Sequence, residues 1–239
     1  MRVVKFRAVL IVQLILVALS IFAVGEWASN FPYPSPLIKP LLSPKLRWPT
    51  EQVVQWIETQ TIDPGFRRFF YRDPERTIPA GMNLVSAADG MVQAIDYRDG
   101  YTFLVIGLSF WDVHVVRTPV AGSVVSIESE GTYFPRFPPK EERDAIFFLR
   151  GKAAPVQQIV TLRTVIGDVR VRLVTSYWAS RIKVWAYPRE ELKKGQRIGR
   201  MLLGSTVIVE FPGRHVLDVR VGQHVTGGDT IIANREAPE

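Results

Sequence analysis

The sequence contains no cysteine. That absence rules out a disulfide framework and any thiolate metal site. The compartment stays open, because a chain without thiols folds in either redox setting. Histidine is nearly as scarce. Only His114, His215 and His224 occur, and no His-x-x-x-His pair is present, so the usual zinc-hydrolase pattern is missing. A Gly-rich phosphate loop is missing too, which argues against a nucleotide-dependent kinase or ATPase. Lys and Arg number 30 against 23 Asp and Glu, giving a formal net charge of +7. The basic residues fall in short clusters such as Arg67-Arg68 and Lys193-Lys194, not in a long stripe with stacking aromatics. Nucleic acid is therefore not the expected partner, and an anionic lipid surface is.

One long apolar run is present. Arg2, Lys5 and Arg7 precede Ala8 to Val24, which only Gln13 and Ser20 interrupt. The run is at the short end of what spans a bilayer. A secretory signal has the same layout, but no small-x-small cleavage site follows. Residues 1–25 are expected to be a membrane anchor, which places the protein at the bacterial inner membrane or an equivalent one. Counting flanking basic residues puts the N-terminus in the cytoplasm. From Glu26 to Pro49 the chain carries Pro32, Pro34, Pro36, Pro40, Pro44 and Pro49. Such spacing forbids a regular helix and reads as an extended linker. A short helix follows, with Thr50 as its cap, Glu51 in its first turn, and Val53, Val54 and Ile57 on one face. Residues 26–79 are thus expected to be linker and short helix.

Residues 80–239 read as the catalytic domain. Gly and Pro punctuate short β-branched runs: Met91–Ile95, Thr102–Leu108, Ser123–Ile127, Ile159–Val165, Val169–Val174, Ile182–Ala186 and Ser205–Phe211. The fold class is mainly β (α+β), a compact hybrid-barrel-like domain. Two turns echo each other, Lys194-Gly195-Gln196 and Val221-Gly222-Gln223. So do two strand starts, Ala88-Asp89-Gly90-Met91-Val92 and Val120-Ala121-Gly122-Ser123-Val124. Such repeats suit a barrel of two similar halves, and they also suit Gly turns that look alike by chance.

Four segments carry candidate chemistry: Phe69-Phe70-Tyr71-Arg72-Asp73-Pro74-Glu75-Arg76; Val85-Ser86-Ala87-Ala88-Asp89-Gly90; Asp112-Val113-His114-Val115-Val116-Arg117-Thr118-Pro119; and Gly195-Gln196-Arg197-Ile198-Gly199 leading to Leu203-Gly204-Ser205-Thr206. In this order they resemble the phosphatidylserine decarboxylase family, from about Phe69 to the C-terminus. The Asp-x-His stretch is similar to the compact branch, and Leu-Gly-Ser-Thr is similar to the family's self-cleavage signature. The resemblance implies that the Ser205 hydroxyl attacks the Gly204 carbonyl and turns the amide into an ester. β-Elimination then frees the upstream chain, and the dehydroalanine left behind hydrolyses to a pyruvoyl group. That group is the implied cofactor, with no metal and no pyridoxal phosphate. An electron sink is what loss of CO2 from an amino acid needs.

The residue types suit these implied roles. Gly204 lacks a side chain to block attack and permits strained backbone angles. Ser205 needs a base. His114 lies in the matching motif and is the candidate, with Asp89 expected to orient it and fix its tautomer, in the manner of an Asp-His-Ser triad. The implied partners are phosphatidylserine, an anionic membrane surface and the two cleavage fragments held together, with room for a homodimer. Some branches carry a second histidine where Arg117 stands, and a guanidinium cannot serve as a base there. Ala87 replaces the family's Pro, Val116 replaces an Asn, and Glu141-Glu142-Arg143-Asp144 stands nearest to the branch's Asn-Glu-Arg-Asn. The segment Arg72–Arg76 reads equally as a surface ion-pair cluster or a headgroup contact. His215 and His224 read as structural or exposed, and Trp178, Trp185 and Tyr187 as core or interface aromatics. The alternative function is a non-cleaving relative that acts as a membrane-tethered binding protein.

Overall fold

The structure is a computed structural model that describes residues 2–30, 41–134, 154–176, 181–202 and 205–234. The chain divides into two compact units, Met1–Pro49 and Thr50–Glu239. The first holds helix α1 (Arg2–Asn30) and the single turn α2 (Pro44–Arg47). Side chains of α1 from Ile11 to Val24 are exposed. Among the described residues no helix is long and apolar enough to cross a membrane. The expected linker prolines from Pro32 to Pro40 lie outside the described residues.

The second unit opens with α3 (Thr50–Thr59), whose Val53 is fully buried. Helix α4 (Pro64–Phe70) follows. Asp63 caps it by accepting from the Phe66 amide at 2.8 Å, and Pro64 occupies the first helical position, where no amide is needed. The rest is antiparallel strand: β1 (Leu84–Val85), β2 (Gly90–Arg98), β3 (Tyr101–Leu108), β4 (Val115–Arg117), β5 (Gly122–Glu130), β6 (Gln157–Thr164), β7 (Gly167–Val174), β8 (Arg181–Val184), β9 (Glu191–Leu192), β10 (Arg197–Leu202), β11 (Ser205–Pro212), β12 (His224–Val225) and β13 (Ile231–Ala233). The expectation of a mainly β fold is borne out. An eight-stranded sheet runs β12-β2-β3-β11-β7-β6-β5-β9 and curls into a half-barrel. A three-stranded sheet, β4-β10-β8, and the pair β1-β13 complete it.

Alternation along β11 shows how the sheet is filled. Val207, Val209 and Phe211 enter the main core with Leu104, Ile106, Leu162, Leu173, Ile198 and Met201. Ile208 points the other way, into a second cluster with Phe103, Val105 and Val174. On that second face Glu210 is buried between two cations. It pairs with Arg172 and, at 3.3 Å, with Arg170. Arg172 also reaches Glu130 at 3.1 Å and Gln157 at 3.4 Å. A buried carboxylate persists only with such partners.

The two echoed turns have the same hydrogen bonds. The Gln196 amide donates to Lys193 O and the Gln223 amide to Arg220 O, each at 3.0 Å. Each glutamine side chain accepts in return, from Lys193 N at 2.9 Å and from Arg220 N at 3.2 Å. The echoed strands β2 and β5 both carry a register shift just past their buried Val92 and Val124.

Candidate active site

Strand β11 begins at Ser205, which pairs with Leu108 at the end of β3. Past Leu108 the chain makes a loop, Ser109 to His114, before entering β4. Asp112 organises that loop. Its Oδ2 accepts from the Ser109 amide at 2.7 Å and from Ser109 Oγ at 2.6 Å. Its Oδ1 lies 2.8 Å from His224 Nε2 on β12. The far end of the loop is fixed by β10, where the Met201 amide donates to His114 O at 3.0 Å. The strand that leads toward position 204 is thus hydrogen-bonded to the segment carrying His114, and the strand that leaves from 205 to β3, which precedes that segment. Leu203 and Gly204, and the side chain of Ser205, lie outside the described residues.

His114 is fully buried. Its ring packs on Phe70 with centroids 4.1 Å apart. Nδ1 sits 3.0 Å from the carbonyl oxygen of Asp112. A carbonyl only accepts, so Nδ1 carries the hydrogen and Nε2 carries the lone pair. Burial pushes the ring's pKa down to about 4, with Arg72 and Arg200 adding to the fall and the Asp112 carbonyl and carboxylate opposing it. His114 is therefore neutral at pH 7, with a basic nitrogen at Nε2.

Asp89 is placed by a tight turn. Gly90 follows it at φ +149°, and a Cβ there would stand 2.4 Å from Gly107 O, so only glycine fits. Asp89 is expected from the sequence to orient His114, and its described contacts are to Arg76 and Gly227. Asp89 Oδ1 accepts from the Gly227 amide at 2.8 Å, and Arg76 bridges both carboxylate oxygens at 3.0 and 2.8 Å. A nearby guanidinium and a backbone amide bind the carboxylate, while the Asp112 carbonyl accepts from the histidine Nδ1. Asp89 ties the strap after α4 to the turn that carries Gly227.

The remaining charges of that strap are also paired within the unit. Asp73 binds Arg117 at 3.0 Å and Arg197 at 2.7 Å, and Glu75 binds Arg197 at 2.8 Å. Arg117 further donates to Gly195 O at 3.0 Å and Pro74 O at 3.2 Å. It is a clamp between strap and turn. Arg72 stacks on Phe69 and donates to Trp111 O at 2.5 Å. The cluster is an internal tie, and of the two readings of Arg72–Arg76 the ion-pair one describes these contacts. Sequence reasoning missed Phe70 as the ring that covers His114, whereas Asp112 reads from its sequence position as a residue that caps a turn or orients His114 locally. Glu141–Asp144 and Trp178 lie outside the described residues.

Residues 65–233 match the family model described as phosphatidylserine decarboxylase. A phosphatidylserine decarboxylase proenzyme of Solibacter usitatus (strain Ellin6076) is 35% identical over 171 residues, covering 71% of this chain and 79% of that protein. One from Streptomyces coelicolor is 34% identical over 166 residues, 69% of this chain and 71% of that protein. One from Chlorobaculum parvum is 33% identical over 175 residues, 70% and 77%. These matches define an enzyme of the proenzyme class. The chain belongs to the phosphatidylserine decarboxylase family.

Proposed function

We propose that the chain decarboxylates phosphatidylserine to phosphatidylethanolamine with a pyruvoyl group it makes by cutting itself between Gly204 and Ser205. The observation that carries this is the tautomer of His114, whose Nε2 is a neutral, buried nitrogen on the segment between β3, which binds β11, and β4, which binds β10. His114 Nε2 takes the Ser205 hydroxyl proton as Oγ attacks the Gly204 carbonyl, and the peptide becomes an ester. Loss of the Ser205 α-proton and cleavage of its Cβ–O bond release the Gly204 carboxylate. Water then replaces the enamine nitrogen, which leaves as ammonia.

The residues present fit the group so formed, because it sits at the first position of a strand locked between β3 and β7. When formed, the pyruvoyl carbonyl supplies the electron sink for loss of CO2. His114 Nε2 then returns a proton to the substrate α-carbon, and Phe70 keeps water from its ring. Asp89 contributes by holding Arg76 and the Gly227 turn in place. The fragments stay associated because β11, β12 and β13 pair with β3 and β7, β2, and β1 of the larger fragment. The hydrophobic stretch of α1 holds the enzyme on the membrane, where its substrate lies.

Intact mass spectrometry under denaturing conditions, beside Ser205→Ala, tests the reading. Two fragments split at 204/205, the smaller with a pyruvoyl mass, are expected from the wild type and one full-length mass from the variant. A single full-length mass in both refutes it and favours the membrane-tethered binding protein.

A further inference from the structure

Strand β10 carries an arginine beside the histidine that no carboxylate neutralises among the described residues. Arg200 lies opposite Lys183 of β8 and Val115 of β4. Its guanidinium sits 5.4 Å from the Tyr71 ring centroid and 5.6 Å from that of Trp185. One terminal nitrogen donates to Tyr71 O at 3.2 Å. Nε is buried and has no acceptor among the described residues. Arg76 and Arg197 also have a buried Nε without a hydrogen-bond partner, and what sets Arg200 apart is the want of a carboxylate among the described residues. Arg76 has Asp89, Arg117 has Asp73, and Arg197 has Asp73 and Glu75. Arg200 is near enough to His114 to depress its basicity, and Tyr71 directly follows the Phe70 that covers that ring.

A buried guanidinium N–H without an acceptor is costly, and a fork of such donors matches phosphate geometry. Two aromatic faces hold the fork in one orientation, which lowers the entropy lost when it grips an anion. The proposed substrate places its phosphate close to the reacting centre, since only an ester oxygen and a methylene separate phosphorus from the α-carbon. An anion site beside His114 is therefore where that phosphate must fall.

We propose that Arg200, framed by Tyr71 and Trp185, binds the phosphodiester of the lipid substrate and sets the enzyme's preference for a phosphoserine headgroup. This rests on the proposed decarboxylation and extends it to a specificity-determining residue.

Arg200→Gln and Arg200→Lys are assayed on phosphatidylserine in detergent micelles, with rates normalised to the cleaved fraction from intact mass. Loss of a charge-assisted contact predicts a KM raised about 10- to 100-fold in Arg200→Gln, with partial recovery in Arg200→Lys. Soluble glycerophosphoserine should inhibit the wild type competitively and Arg200→Gln at least about tenfold less well. Binding to phosphatidylglycerol vesicles should be equal in all three. Unchanged KM and inhibition overturn the proposal. So does weaker vesicle binding with unchanged KM, which would make Arg200 a contact for a neighbouring anionic lipid. If Arg200→Gln is uncleaved or misfolded, the Lys variant carries the comparison. A cleaved wild type that turns over no phosphatidylserine refutes the function instead. Calorimetry with glycerophosphoserine, wild type against Arg200→Lys, then still decides the phosphate site.

Discussion

Self-cleavage should be insensitive to pH where an ordinary histidine would fail. The proposed base is His114, whose pKa burial lowers to about 4 from 6.5. At about pH 5.5 such a ring is roughly 97% neutral, whereas one titrating at 6.5 is roughly 10% neutral. The expected profile is flat from about pH 8 to 5.5 and falls by half near 4. The assay follows precursor from cell-free synthesis, moved into buffers across that range, with the cleaved fraction read by intact mass. Folding is linked to the same group. The folded pKa is depressed, so the unfolded chain binds a proton first as pH falls. Stability is fully present above about 6.5 and drains between 6.5 and 4, by up to about 3 kcal/mol for a shift of roughly 2.5 units. Urea titrations of Ser205→Ala check that limb separately. Cleavage that halves near pH 6.5 while the fold persists would refute the assignment of His114 as a buried neutral base.

Other outcomes follow from single contacts. Phe70→Ala opens a cavity beside the ring, costs about 3–5 kcal/mol in urea denaturation, and moves the acid limb of cleavage up toward 6.5. Glu210→Ala leaves Arg172 buried without its main partner and costs about 3–5 kcal/mol by the same measurement. Asp89→Asn weakens the tie to Arg76 and costs about 1–3 kcal/mol. A conserved urea midpoint in Asp89→Asn would mean the strap is held without it. His224→Gln keeps a donor for Asp112 and should alter the cleavage rate by less than about threefold, since the hydrogen bond to Asp112 Oδ1 is retained.

Much of the strand pattern was legible because β-branched runs bounded by glycine report a buried pleat directly. Thr102–Leu108 corresponds to β3, Val169–Val174 to the body of β7, and Ser205–Phe211 to β11. Short elements were not legible. β4 has three residues and is held by its neighbours, not by a pattern of its own. Helix α4 was signalled only by Asp63-Pro64, a cap and first-turn pair that a longer apolar period would have reinforced. The motif singled out His114, but its tautomer depends on a carbonyl two residues back. Asp89 shows the limit most clearly. Nothing in one sequence says that an aspartate will pair with Arg76, thirteen positions earlier.

Strand β11 lies near the middle of the large sheet, between β3 and β7, and it starts at the proposed cut. Cutting there converts an intramolecular strand into a second molecule without moving it. The native assembly then outlives the covalent connection that allowed it to form. Recovery from denaturant becomes bimolecular, slower on dilution, and open to aggregation through the two strand edges left bare. The precursor can fold repeatedly, while the cut enzyme has in effect one chance. The cut thus turns a reversible fold into a kinetically trapped one, and its lifetime is governed by the rate at which the middle strand is lost.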